Sequence, residues 1–111
     1  MATDGWEAVL AADALPASKL TRVEVGGQPA LVYRLGEAIF AISNRCTHAG
    51  MVLDRAQVQE VGADAMLTCP AHGSHFGLSD GKVRRGPATQ PLTSYEAREV
   101  DGQIELRPRS S

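Results

Sequence analysis

Cysteine and histidine are scarce in this sequence, which has two cysteines and three histidines among its 111 residues. Two cysteines allow a single disulfide at most, or two buried thiols. Long apolar runs are missing as well. The longest run near the start, residues 8–12, is too short for a signal-peptide core and precedes an aspartate, and no stretch approaches the roughly 18 apolar residues of a membrane helix. We therefore expect a soluble, cytoplasmic protein without a membrane partner.

Basic residues do not cluster in long runs either. The chain has 11 lysines and arginines against 13 acidic residues, a formal net charge of -2, and an aromatic content of only 5%. A nucleic-acid-binding surface is typically rich in lysine and arginine, with aromatic side chains interleaved. No such stripe is present, and the sequence therefore excludes nucleic acid as a partner.

Helical periodicity is nearly absent, since only residues 11–15 allow a single helical turn before Pro16. Strand signals fill most of the chain instead, at residues 20–25, 30–35, 38–42, 57–61, 65–68, 95–100 and 103–106. Glycine-containing turns separate these runs, and Asp101-Gly102 between the last two is a strong hairpin signal. The length suits one domain over residues 1–111, and the pattern predicts an antiparallel, all-β fold.

Metal-ligating residues occur in two short strings, Cys46-Thr-His48 and Cys69-Pro-Ala-His72, which contain both cysteines. Each string offers one sulfur and one nitrogen, and Gly73 after the second string allows the chain to turn tightly around an inorganic core. Such a set can hold a [2Fe-2S] cluster in which two imidazoles replace two of the usual thiolates.

Two other interpretations of the cysteines stay open at this point. A disulfide between Cys46 and Cys69 is possible, but it gives no role to the neighbouring histidines and glycines. A zinc ion also accepts two cysteines and two histidines in a tetrahedral site. The usual zinc spacing pairs cysteine with cysteine and histidine with histidine, however, whereas each string here mixes the two residue types.

Three segments resemble the loops of Rieske iron-sulfur proteins. Residues 46–51 and 69–76 are similar to the two cluster-binding loops, and residues 86–88, Gly-Pro-Ala, are similar to the proline-containing third loop. The resemblance extends over roughly residues 6–106. It implies a small antiparallel β sandwich or barrel with a cluster-binding subdomain inserted at about residues 44–87.

For the ligands, the resemblance implies that Cys46 and Cys69 bind one iron of a single Rieske-type [2Fe-2S] cluster and that His48 and His72 bind the other. The third histidine, His75, is then not a ligand, and we expect it to shape the local charge of its loop.

Rieske-type ferredoxins are the members that this chain resembles most. They are electron carriers rather than enzymes and pass electrons from a flavin-dependent reductase to a ring-hydroxylating oxygenase. The catalytic subunit of such an oxygenase is excluded, because its non-heme iron needs two further histidines and a carboxylate, and only His75 is left. An alternative is a fixed Rieske-like subunit of a larger oxidoreductase, such as the small subunit of assimilatory nitrite reductase.

Four loop positions bear on the reduction potential. High-potential members of the family carry a disulfide between two further cysteines, and Met51 and Ala71 stand at the corresponding positions. Ser74 matches a serine that donates a hydrogen bond to a cluster sulfide, whereas Phe76 replaces a hydrogen-bonding tyrosine. We therefore expect a potential in the lower or middle part of the family's range.

Three basic residues, Lys82, Arg84 and Arg85, lie between the second and third loops. They are candidates for a basic edge that binds an acidic protein partner. The other interpretation is an ordinary solvent-exposed hairpin.

Overall fold

The computed structural model describes residues 5–44, 56–62, 64–69, 73–86 and 92–108. These residues form antiparallel strands, with one 3₁₀ turn at Ala12–Ala14. The strands are β1 (Glu7–Ala11), β2 (Thr21–Val25), β3 (Gln28–Leu35), β4 (Ala38–Ser43), β5 (Gln57–Val61), β6 (Asp64–Thr68), β7 (His75–Gly77), β8 (Val83–Arg85), β9 (Ser94–Val100) and β10 (Gln103–Pro108). Within the described ranges there is no helix with the length and apolarity that crossing a bilayer requires.

The larger sheet has six strands in the order β1-β10-β9-β4-β3-β2, each antiparallel to its neighbours. Its two edge strands come close together. The N–H of Gly26, in the turn after β2, donates to Glu7 Oε1 in β1 at 2.9 Å. The sheet is therefore curled into a nearly closed barrel, and the prediction of a small all-β sandwich or barrel is confirmed.

A second sheet of four strands, in the order β5-β6-β7-β8, lies between β4 and β9 in the chain. It falls within residues 44–87, the span predicted for the cluster-binding subdomain. The bounds of that subdomain and the extent of the single domain over residues 1–111 remain predictions. The hairpin of β5 and β6 confirms the strands predicted at residues 57–61 and 65–68.

Strand β3 contributes to two cores, and this explains its uninterrupted apolar run. Ala30 and Val32 lie in the interior of the barrel, whereas Leu31 and Tyr33 lie on the other face, against the second sheet. A strand covered on both faces needs apolar residues at successive positions rather than at alternate ones. The core between the two sheets consists of Leu31, Tyr33, Ile42, Ala65, Leu67, Cys69, Phe76, Leu78 and Leu92.

Candidate metal centre

One row of residues across the second sheet marks where the predicted loops join the fold. In this row Gln57 pairs with Thr68, Thr68 with His75, and His75 with Arg85. Residues 45–55 precede Gln57 closely, the second loop connects Thr68 to His75, and the third loop begins after Arg85. We call this row the loop edge. The topology therefore brings both ends of the second loop, the start of the third loop and the strand that follows the first loop to one edge of one sheet.

Of the four predicted ligands, Cys69 is the one that the structure describes. Cys46, His48 and His72 lie outside the described residues, as does most of the third loop. Cys69 directly follows β6, and its thiol is free and only 1% exposed. It continues the alternation of inward-facing residues Ala65 and Leu67. The sulfur thus lies at the loop-edge end of the core between the sheets.

The segment that carries Cys69 is closed by two backbone hydrogen bonds. The N–H of Cys69 donates to the carbonyl of Ser74 at 2.8 Å, and the N–H of Gly73 donates to the carbonyl of Cys69 at 3.0 Å. Gly73 has a φ of +74°, which glycine adopts without the strain of a β-carbon. These bonds fix the positions of Cys69 and Gly73, and His72 lies between them in the sequence. The hairpin of β6 and β7 therefore sets the separation between the two ends of the second loop.

Alternation along β7 separates Ser74 from His75. Ser74 and Phe76 are fully buried and share the inward face with Cys69. His75 is partly exposed and lies on the opposite face, in register with Thr68 and Arg85. This placement supports the prediction that His75 is not a ligand.

One of the three basic residues after the second loop, Arg84, is held by two ion pairs. Arg84 Nη2 lies 3.4 Å from Asp64 Oδ2 and 3.4 Å from Asp80 Oδ2. The same guanidinium group lies over Gly77, where an added β-carbon would approach Nη2 to 2.5 Å. Arg84 therefore connects the start of β6, the end of β7 and the turn between β7 and β8. The sequence analysis missed this structural role, because the contact with Asp64 joins residues that are twenty positions apart in the sequence.

Two groups with shifted pKa values, Glu60 and Tyr33, contact each other across the two sheets and not at the loop edge. Hydrogen bonds from Ser18 and Tyr33 lower the pKa of Glu60. Burial, together with the hydrogen bond to Glu60, raises the pKa of Tyr33. These groups link the two sheets and are not part of the predicted ligand set.

The chemistry of the site fits a Rieske cluster. Iron and sulfide prefer thiolate ligands, and imidazole is a suitable ligand for iron. Cys69 is unbridged, buried and held by a closed turn, as a cluster-binding thiolate requires. The free Cys69 thiol gives no support to the disulfide interpretation.

A family model described as the Rieske [2Fe-2S] domain matches residues 5–96 of this chain. The chain is 32% identical over 101 residues to ferredoxin CarAc of Metapseudomonas resinovorans, covering 89% of this chain and 90% of that protein. It is 29% identical over 101 residues to the anthranilate 1,2-dioxygenase ferredoxin subunit of Burkholderia cepacia, covering 91% and 90%.

A similar solved structure is the ferredoxin of carbazole 1,9a-dioxygenase from Nocardioides aromaticivorans. It has a TM-score of 0.83 at 27% identity and covers 94% of this chain and 98% of that one. A second is a complex of reduced oxygenase and oxidized ferredoxin in carbazole 1,9a-dioxygenase. Its matched chain has a TM-score of 0.80 at 28% identity and covers 96% and 98%.

Proposed function

Because this chain belongs to the Rieske [2Fe-2S] domain family, we propose that it is the ferredoxin component of a ring-hydroxylating oxygenase system. In this role it takes electrons from a flavin-dependent reductase and delivers them to the terminal oxygenase. It catalyses no reaction on the organic substrate itself. We place it in the cytoplasm, as a single domain over residues 1–111.

The observation that carries this proposal is the similarity to dioxygenase ferredoxins over nearly the full length of both chains. The two curated relatives are ferredoxins that are covered to 90%. The ferredoxin from Nocardioides aromaticivorans is covered to 98% with a TM-score of 0.83. A relative in the same fold, moreover, is seen in complex with its oxygenase.

The ligand set in this proposal is Cys46 and Cys69 on one iron and His48 and His72 on the other. When bound, the [2Fe-2S] cluster of this family accepts and releases one electron at a time. The described residues hold Cys69 in place. The backbone hydrogen bonds of Cys69 with Ser74 and with Gly73 close the second loop, and the core around Cys69 keeps water from its sulfur.

The proposal is tested by electron paramagnetic resonance of the dithionite-reduced protein, with iron and acid-labile sulfide quantified on the same sample. We expect about two irons and two sulfides per chain and the spectrum of a cluster with mixed sulfur and nitrogen ligands. A colourless protein that holds zinc, or one without labile sulfide after anaerobic reconstitution, contradicts the cofactor assignment.

A second measurement separates a mobile carrier from a fixed subunit. A carrier is purified by itself, is reduced by a flavin-dependent reductase and is reoxidised by a terminal oxygenase at rates proportional to partner concentration. A fixed subunit instead copurifies in constant ratio with a larger oxidoreductase and exchanges electrons only within that complex.

A further inference from the structure

We propose that Arg85, a cation beside the metal centre, is the residue through which this carrier binds a carboxylate-rich surface on a redox protein. The inference rests on the function proposed above, because it concerns where that carrier meets its partners. It narrows the candidate basic edge of Lys82, Arg84 and Arg85 to one residue.

The position of Arg85 follows from the topology of the second sheet. Strand β7 begins at the loop edge and runs away from it, and β8 returns antiparallel to it. Arg85, the last residue of β8, pairs with His75 and is therefore at the loop edge, immediately before the third loop. Lys82 precedes β8 and is at the distant end of the hairpin. Of the three basic residues, Arg85 is thus the nearest to the loop that carries Cys69.

A β-bulge separates the roles of the two neighbouring arginines. The register of β7 with β8 steps from His75–Arg85 to Phe76–Val83, so Arg84 is the extra residue. Its guanidinium group is directed over Gly77, away from the loop edge, and is compensated by two carboxylates. Arg85 is exposed and has no ion pair within the described part of the chain.

The acidic residues of the second sheet lie toward its other end. Glu60 accepts hydrogen bonds from Ser18 and Tyr33, and Asp64 and Asp80 both contact Arg84. In the loop-edge row, Arg85 is the residue with a full positive charge, and none of the other three is acidic. On a chain with a net charge of -2, this arrangement orients the metal centre toward an anionic surface during approach.

The test uses the cluster-loaded full chain and two small oxidants of opposite charge. Protein reduced with dithionite, then freed of excess reductant, gives one electron to ferricyanide, which becomes ferrocyanide, or to the cationic tris(phenanthroline)cobalt(III), which becomes cobalt(II). The rates are measured by stopped flow at low and high ionic strength. Arg85→Gln is compared with Lys82→Gln, which makes the same change in net charge at the distant end of the hairpin.

At low ionic strength we expect Arg85→Gln to slow oxidation by ferricyanide about threefold and to leave oxidation by the cobalt complex unchanged or faster. Lys82→Gln should change both rates much less, and high salt should remove the difference. Equal effects of the two variants, or no effect of Arg85→Gln on the ferricyanide rate, overturn the inference.

The same comparison with a flavin-dependent reductase and a terminal oxygenase tests the protein partner directly. Arg85→Gln should lower the second-order rate constant with at least one of them and flatten its dependence on salt. Unchanged rates with both overturn the inference. Failure of the proposed function is distinguishable, since a chain without iron and labile sulfide gives no electron transfer in the wild type either.

Discussion

The phenol of Tyr33 in β3 donates a hydrogen bond to Glu60 Oε2 in β5 at 2.6 Å, and this contact joins the two sheets. The hydroxyl of Ser18 donates to the same oxygen at 2.5 Å. The Tyr33 ring is only 3% exposed and belongs to the core between the sheets, whereas Glu60 is at the surface. A polar contact therefore closes this side of the apolar interface that also contains Cys69.

Removing the phenol hydroxyl should weaken the attachment of the second sheet. We expect Tyr33→Phe to lower the free energy of unfolding by about 1 kcal/mol, because a hydrogen bond to a carboxylate is lost while the ring stays packed. Urea unfolding measures this change. In a double-mutant cycle, Tyr33→Phe and Ser18→Ala should be non-additive, since both hydroxyls bind one oxygen. A Tyr33→Phe variant as stable as the wild type contradicts the prediction.

The same contact predicts a dependence of stability on pH. The hydrogen bonds from Ser18 and Tyr33 lower the pKa of Glu60 from its ordinary value of 4.5. The stabilisation is therefore fully present above pH 4.5, where the carboxylate is ionised in both folded and unfolded chains, and it is lost as the pH falls through the lower pKa of the folded state. Thermal melts from pH 7 to pH 3 should show a smaller loss of stability for Glu60→Gln than for the wild type. Parallel curves for the two proteins would refute this assignment.

Much of the fold was predictable because its signals are local. The alternation at residues 20–25 predicted β2, and the glycine-separated runs predicted the hairpin of β5 and β6, with bounds that agree to within one residue. Strand β1, at Glu7–Ala11, was not predicted, since it has no strict alternation and is defined by its pairing with β10. The three-residue strands β7 and β8 are likewise fixed by neighbours rather than by propensity.

The candidate site was predictable only to the level of ligand types. The two strings indicated a metal centre, but the location of Cys69 at the end of an inter-sheet core required the fold. The role of Arg84 depends on Asp64, which is twenty positions away in sequence and comes within reach only when β6, β7 and β8 pair. Sequence spacing therefore grouped Arg84 with Arg85, although their surroundings differ.

A close backbone approach makes Gly81 a sensitive position. It has a φ of +72°, and its carbonyl accepts a hydrogen bond from the N–H of Leu92 at 2.7 Å. An added β-carbon would lie 2.4 Å from the carbonyl oxygen of Leu92, the first described residue after the third loop. We expect Gly81→Ala to destabilise the fold by about 2 kcal/mol or more, from backbone strain and this clash together.

Gly36→Ala is the matched control for that measurement. Gly36 also has a positive φ, +61°, but nothing lies within 4 Å of the position of its missing β-carbon. Its substitution should cost about 1 kcal/mol, from the backbone conformation alone. Chemical denaturation measures the free energy of unfolding of both variants. Equal losses of stability would show that the structure accommodates the contact with Leu92 without an energetic cost.

The two histidines of the second loop should respond differently to the same substitution. We expect His72→Asn to lose the cluster or its characteristic paramagnetic spectrum, because the proposed imidazole ligand of iron is removed. His75→Asn should retain iron, labile sulfide and spectrum, since His75 lies on the sheet face opposite to Cys69 and Ser74. Circular dichroism shows that each variant is folded. The reverse result would exchange the roles of these residues.

Hydrogen bonding near the cluster should set the reduction potential. Ser74 is fully buried on the same face as Cys69, and the resemblance to Rieske proteins gives its hydroxyl a bond to a cluster sulfide. Loss of a bond that favours the reduced state by about 1 kcal/mol lowers a one-electron potential by roughly 40 mV. We therefore expect Ser74→Ala to shift the potential down by about that amount. Protein-film voltammetry measures it.

Two further variants and the wild type complete that experiment. Ser79→Ala removes a hydroxyl that bonds to Asp64 at 3.0 Å in the turn after β7, and it should leave the potential unchanged. Phe76→Tyr restores the hydroxyl that high-potential members carry, and a rise of roughly 40 mV is expected if the buried ring keeps its position. The wild type should fall in the lower or middle part of the range of about -150 to +300 mV. A potential near the upper limit, or an equal shift in Ser74→Ala and Ser79→Ala, would show that hydrogen bonds from this loop do not set the value.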